Sequence, residues 1–270
     1  MSGIRVRAPA TTANLGSGFD CAGVALELWN ELEVTEDPDA REPDVHHVGI
    51  AAFARIASPK GWRFDFTNRV PRAGGLGSSA SVIALGLVAG ALAAGIEPDA
   101  EELLAEGLPL EGHPDNLAPA LVGGACLTYD GRIERVANSV PAVPIALRPA
   151  GRVDTRESRT LLPLSVPHED AVFSAGRAAL LGAALASHSE TLFAAALDDR
   201  LHEPYRSTFL ADVRADLPAG ALGATLSGSG PTVIVWASEA SAERCQAALR
   251  QAYPEVEVTR MAVSPVGAIP

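Results

Sequence analysis

Pro71-Arg72-Ala73-Gly74-Gly75-Leu76-Gly77-Ser78-Ser79-Ala80-Ser81 is a glycine-rich loop that runs directly into a long apolar stretch. Three glycines in four positions let the backbone turn sharply and approach a ligand closely. Ser78 and Ser79 place hydroxyls and free N–H groups at the start of the helix that follows. Such a geometry attracts anions, and the loop reads as a phosphate cradle. No lysine follows in the way a Gly-x-x-x-x-Gly-Lys-Ser/Thr loop requires, and the spacing does not fit Gly-x-Gly-x-x-Gly. Both common nucleotide-binding folds are therefore disfavoured. Glycine and serine also suit a plain strand-to-helix turn, so the loop taken alone leaves the two readings open.

The 270 residues, 47% of them apolar, suffice for one large or two modest domains with substantial cores. A formal charge of −12 argues against long-range attraction to nucleic acid or an anionic membrane, and neither partner is expected. Lys60 is the only lysine; the other basic residues are arginines, which can grip a small carboxylate or phosphate bidentately. Cys21, Cys126 and Cys245 lack metal-ligand spacing and read as small buried residues in a reducing compartment. The opening Met1-Ser2-Gly3-Ile4-Arg5-Val6-Arg7 has no apolar signal-peptide core, so a cytoplasmic location is expected. Residues 80–96 are uncharged but rich in alanine and glycine, which suits a core helix better than a membrane span.

Along the chain, residues 4–8 and 24–34 read as strands, the second broken by the polar pair Asn30-Glu31. Residues 48–57 have helical character, 63–66 alternate, and 100–106 form a helix opened by Glu97-Pro98-Asp99. Residues 113–120 read as a polar turn leading into an apolar stretch, followed by strands at 122–129 and 143–147. Residues 149–152 are a plausible boundary, dividing the chain into domains 1–150 and 151–270. Beyond it come helices near 169–186, 190–201, 205–216 and 240–252, with strands at 233–237 and 256–263. Ser187 and Glu190 fit a capping box. Strands and helices mix without strict alternation, which indicates α+β domains rather than a doubly wound sheet.

Two further clusters share the small, polar character of the opening loop. Pro9-Ala10-Thr11-Thr12-Ala13-Asn14-Leu15-Gly16-Ser17-Gly18-Phe19-Asp20 is a strand followed by a glycine-punctuated loop, in which Asn14 and Asp20 can orient a polar ligand or simply make an Asx-turn and a cap. Gly223-Ala224-Thr225-Leu226-Ser227-Gly228-Ser229-Gly230-Pro231-Thr232, taken singly, is an ordinary hairpin turn. In this order and spacing the three clusters resemble the GHMP kinase superfamily, whose Pro-x-x-x-Gly-Leu-Gly-Ser-Ser-Ala motif is matched from Pro71 to Ala80. Within it the likeness runs almost end to end with the homoserine kinase family. It is carried by Asn14-Leu15-Gly16-x-Gly18-Phe19-Asp20, Glu111-Gly112-His113-Pro114-Asp115-Asn116, Thr155-x-x-x-Arg159, His202-Glu203-Pro204-Tyr205-Arg206 and Ser227-Gly228-Ser229-Gly230-Pro231.

The resemblance implies a two-domain α+β fold: an N-terminal domain like the second domain of ribosomal protein S5, a ferredoxin-like C-terminal domain, and a site in the cleft. It implies transfer of the γ-phosphoryl group of ATP to the hydroxyl of L-homoserine, with Mg²⁺, a reaction that needs positioning and charge neutralisation more than covalent catalysis. Pro71, Arg72, Ala73, Gly74, Gly75, Leu76, Gly77, Ser78, Ser79, Ala80 and Ser81 would wrap the triphosphate. Ser78 or Ser79, with Glu111 or else Glu106, would hold Mg²⁺, a hard ion that prefers oxygen. Asn14, Asp20, His113 and Asp115 would surround the amino and hydroxyl ends of the amino acid, and Thr155, Arg159 and Arg206 its carboxylate. Asp115, Ser79 and Arg206 would serve catalysis, Asp115 as an orienting residue or as the base. His46-His47 carry no recognisable chemistry. Family members are often dimers, which leaves a homodimer open. A mevalonate- or sugar-type GHMP kinase is the rival enzyme, opposed by Thr155, Arg159 and Arg206. A non-catalytic relative would show degraded loops, and all three loops are intact.

Overall fold

Alternation builds the first sheet. The computed structural model describes residues 3–151, 153 and 155–270; Met1 and Ser2 of the opening, and Arg152 of the expected boundary, lie outside the described residues. Ile4-Arg5-Val6-Arg7 buries its apolar side and exposes its arginines in β1 (Ile4–Asn14), which pairs antiparallel with the long β2 (Gly18–Glu36). After α1 (Val48–Ala54) comes β3 (Trp62–Thr67), again alternating, paired with the far half of β2. Asn30 is fully buried in β2 and its Oδ1 accepts from the backbone N–H of Arg69 and Val70, at 2.8 and 2.9 Å. The polar break in that strand thus fixes the chain entering the glycine loop.

α2 (Ser78–Ala93) has twelve buried residues and is apolar all round, as a helix surrounded by protein must be. α3 (Ala100–Glu111) and α4 (Pro114–Val122) pack beside it, and β4 (Ala125–Tyr129) and β5 (Arg132–Ala137) complete a sheet ordered β1-β2-β4-β5. The expected strand at 122–129 begins later, because the helix persists to Val122 and Gly123-Gly124, both with positive φ, turn the chain. Pro114 occupies the first helical turn, so proline here starts α4 rather than breaking it.

β6 (Val143–Arg148) opens the second sheet. It is followed by α5 (Thr155–Thr160), α6 (His168–Ser187), α7 (Glu190–Ala196), α8 (Glu203–Arg206) and α9 (Thr208–Ala215). β7 (Ala221–Leu226), β8 (Val233–Ala237), α10 (Ala242–Ala252) and β9 (Glu257–Arg260) finish it, in the antiparallel order β7-β8-β6-β9. The two sheets therefore part ahead of residue 143, before the division at 150 read from the sequence. Ser189, not Ser187, caps α7, accepting from the Leu192 N–H at 3.3 Å; Ser187 donates back to the Ala183 carbonyl. The helix expected over 205–216 is split because Ser207 is extended and caps α9 through Leu210.

Ile234 and Trp236 of β8 face a middle core shared with Ala10, Val24 and Leu26 of the first sheet and Leu181 and Phe193 of α6 and α7. Val233 and Val235 face an outer core with Val213 of α9 and Leu249 of α10. The chain then returns to the first sheet. Ser264 N–H bonds the Ala25 carbonyl, and the N–H groups of Ala268 and Ile269 bond the Ala120 and Leu121 carbonyls at the end of α4. No helix among the described residues is long and apolar enough to cross a membrane.

Candidate active site

The start of α2 faces a cavity of about 970 Å³ lined by both halves of the chain. Gly77 caps α2 in the left-handed region, φ 62°, where a Cβ would collide with Thr11 Oγ1. Thr11 in turn donates to Asn116 Oδ1 at 2.7 Å, so the first cluster, the glycine loop and α4 interlock. The third cluster closes the loop from the opposite side. Ser227 Oγ donates to the Gly75 carbonyl at 2.5 Å, Thr232 Oγ1 to the Gly74 carbonyl at 2.5 Å, and Asn14 Nδ2 to the Gly228 carbonyl at 3.0 Å.

Arg72, Ala73, Gly74, Gly75, Gly77, Ser78 and Ser79 line the cavity. Pro71, Leu76, Ala80 and Ser81 do not: Leu76 and Ala80 are buried in the cores, and Ser81 donates to the Ala8 carbonyl at 3.1 Å. Leu76, Ala80 and Ser81 hold the loop from behind, because the helix it enters is buried on all sides. Ser78 and Ser79 of the first α2 turn, where a helix leaves N–H groups without intrahelical partners, line the cavity, a setting that stabilises anions.

Ser79 Oγ donates to Glu111 Oε1 at 3.0 Å, whereas Ser78 Oγ turns to the Val70 carbonyl at 3.4 Å. Glu111 ends α3 at the cavity wall, and burial, with a smaller push from Asp115, raises its carboxyl to about 7 against the Ser79 hydrogen bond. Glu106 does not line the cavity; its carboxylate pairs with Arg55 at 2.7 Å. The hydroxyl–carboxylate pair of Ser79 and Glu111 offers hard oxygen donors beside the anion site, which fits a magnesium ion.

Beyond the loop lie the charged residues of the second end. Asn14 and Asp20 both take positive φ, and Asn14 Oδ1 accepts the Asp20 N–H at 2.9 Å. Asp20 Oδ1 pairs with Arg159 Nη2 at 2.5 Å. Asp115 is buried near the start of α4, its Oδ1 accepting the Asn116 N–H at 2.8 Å; burial, then Asp20, raises its carboxyl to about 7. Burial first, and then Arg159, lowers His113. Thr155 Oγ1 lies 3.2 Å from Ser229 Oγ, joining α5 to the third cluster. Asn14, Asp20, His113, Asp115, Thr155, Arg159 and Arg206 all line the one cavity.

Arg206 differs from Arg159 in its partners. Among the described residues its one hydrogen-bond partner is His202 Nδ1, at 3.4 Å, and no carboxylate lies within ion-pair distance of it. Its guanidinium sits 5.1 Å from the centre of the Phe19 ring, and that of Arg159 5.5 Å from it. The cavity thus holds one arginine in direct contact with Asp20 and another, Arg206, on which Asp20, Asp115 and Asp199 act only from beyond ion-pair distance among the described residues.

Sequence reasoning overlooked His46, His47 and Asn116 in this wall, and also Phe19 and His202, which contact Arg206 without lining the cavity. His46 and His47, given no chemistry in the sequence reading, line the cavity; His47 tilts over Phe66 at 4.3 Å, and burial followed by Arg72 lowers its pKa. Only its place just before the helix expected from residue 48 hinted at this. Phe19 and His202 were inside quoted motifs but carried no expected role, and Asn116 likewise. Their significance comes from contacts across the fold.

The chain is similar to known kinases in sequence and in fold. Residues 46–124 match the family model described as GHMP kinases N terminal domain, and residues 173–255 the one described as GHMP kinases C terminal. A homoserine kinase of Caldicellulosiruptor bescii is 37% identical over 260 residues, covering 87% of this chain and 85% of that protein. The crystal structure of homoserine kinase from Cytophaga hutchinsonii superposes with a TM-score of 0.84 at 27% identity, covering 99% of this chain and 96% of the other. Mevalonate kinase of Methanococcus jannaschii gives a TM-score of 0.71 at 13% identity, covering 97% and 98%, a likeness of fold alone. The chain belongs to the GHMP kinases, within the homoserine kinase family.

Proposed function

We propose that this protein is an ATP-dependent kinase that phosphorylates the side-chain hydroxyl of L-homoserine, giving O-phospho-L-homoserine on the route to threonine. The observation that carries the substrate is the presence, in one cavity with the glycine loop, of both signs of charge: Asp20 and Asp115 beside Arg159 and Arg206. A zwitterion needs both signs of charge. Mevalonate has no ammonium group and a neutral sugar has neither charge, so each would leave part of this wall unanswered. A cytoplasmic location is consistent with ATP and a free amino acid as co-substrates.

The N–H groups of Gly77, Ser78 and Ser79 and the α2 dipole receive the phosphates, which a growing negative charge at the β–γ bridging oxygen makes catalytic as well as binding. Magnesium, when bound by Ser79 and Glu111, supplies charge neutralisation at the phosphate oxygens. Arg206 takes the amino acid's carboxylate, Thr155 and Arg159 flank it, and Asp20 with Asn14 and His113 receives the ammonium end. That fixes the side chain toward Asp115. The hydroxyl oxygen bonds the γ-phosphorus as the bond to the ADP oxygen breaks, and the hydroxyl proton passes to the Asp115 carboxylate. A pKa near 7 suits that exchange at neutral pH.

A coupled assay of ADP release with L-homoserine, mevalonate, galactose and no acceptor tests this reading. ADP release is expected with L-homoserine alone; equal rates with and without it would sink the proposal.

A further inference from the structure

His202 is wholly buried at the start of α8, and its side chain joins three parts of the site. Nε2 lies 3.0 Å from the Gly16 carbonyl, in the turn that follows Asn14. A carbonyl only accepts, so Nε2 carries the hydrogen and Nδ1 of the neutral ring keeps its lone pair. That lone pair faces Arg206 Nη1 at 3.4 Å, and the ring stacks on Phe19 at 4.6 Å with 15° between planes. Phe19 also receives the guanidinium of Arg206.

Burial keeps His202 neutral among the charged groups around it. Asp199, from the preceding segment, lies 3.7 Å from Nε2, but its Oδ2 accepts the N–H groups of Leu201, His202 and Glu203 at 3.0, 2.7 and 3.0 Å. Its Oδ1 accepts from Ser174 Oγ at 3.1 Å. Its charge is thus satisfied elsewhere. Asp20 from β2 is engaged by Arg159, and Arg206 from α8 repels a second cation. Burial outweighs the pull of both carboxylates and lowers the imidazole to about 4.

We propose that His202 is a positioning residue for Arg206, a neutral acceptor that fixes the guanidinium against Phe19 without cancelling its charge. A carboxylate in that place would orient the arginine equally well but would neutralise it before the substrate arrives, as Asp20 does for Arg159. An apolar residue would leave the charge and lose the orientation. A neutral imidazole locked by the Gly16 carbonyl avoids both failures, and it couples the arginine to the Asn14–Asp20 turn that faces the other end of the substrate. The inference rests on the kinase reading above and concerns the amino-acid subsite, not the phosphate loop.

The test compares His202→Leu and His202→Asn with the unaltered protein, measuring KM for L-homoserine, KM for ATP and Tm. Asparagine keeps an acceptor at the position of Nδ1. His202→Leu is expected to raise KM for L-homoserine about tenfold or more with KM for ATP within about twofold, and His202→Asn to bring the former back to within about threefold. A parallel rise of both KM values, no rise at all, or an asparagine variant no better than leucine overturns the proposal. Should the leucine variant not fold, His202→Gln, which keeps a donor for Gly16, is held to the same thresholds. Absence of homoserine-dependent ADP release from the unaltered protein is a separate outcome: it removes the kinase reading itself.

Discussion

In the proposed reaction Asp115 serves turnover at the expense of stability. Its carboxyl is only 4% exposed and titrates near 7 in the folded protein, far above its ordinary value of 3.8. Because the folded pKa is raised, the folded state holds the proton more tightly than the unfolded chain. Its stabilising share is therefore complete below the unfolded pKa and is lost as pH rises through about 7. Asp115→Asn is expected to lower kcat by about 10²–10⁴ and yet raise stability at pH 8 by on the order of 2 kcal/mol. Thermal melts at pH 5 and pH 8 check the second part; the gain should be smaller at pH 5. Glu111 is raised to about 7 as well, so the kcat/KM of the unaltered enzyme should fall on the acid side with the loss of two ionisations. The asparagine variant should retain a limb of one, and a limb unchanged by the substitution would exclude Asp115 as a titrating participant.

At the scale of elements, the junction of the glycine loop with α2 is the most demanding point. Gly77→Ala puts a Cβ into Thr11 Oγ1 at a left-handed φ, and Thr11 cannot retreat without losing Asn116. A stability loss of about 2–4 kcal/mol and a large fall in kcat/KM for ATP are expected. Gly95→Ala is the control: its φ is 69°, but nothing lies near the added carbon, so it should cost about 1 kcal/mol and leave turnover alone. Urea melts and steady-state kinetics on the pair separate strain from collision. This junction was legible in the sequence because its residues are contiguous and their chemistry local. β5 and β7 were not. Residues Arg132–Ala137 place charges on an exposed edge, and Ala221–Leu226 is built of small residues whose strand character comes from pairing with β8. His47 and the Phe19–His202 stack were illegible for a related reason, since each acquires its place only when distant segments fold together.

For the whole molecule, the middle core matters most. It draws on both sheets and on α6 and α7, so the halves that contribute the phosphate loop and the two arginines are not independent bodies. The segment running from residue 262 to 269 ties them further. Ala262 accepts from the Glu27 N–H, Ser264 bridges Ala25 and Gly124, and Ala268 and Ile269 satisfy carbonyls at the end of the helix whose start carries Asp115. Deleting residues 262–270 is expected to lower Tm by at least about 5 °C and to speed amide exchange in α4 before any change at the start of α2. Equal protection of α4 in the shortened protein would refute that dependence. The clamp on α4 is contributed from beyond the second sheet, so the cavity wall that carries Asp115 is held in place only once the two halves of the chain have folded onto each other.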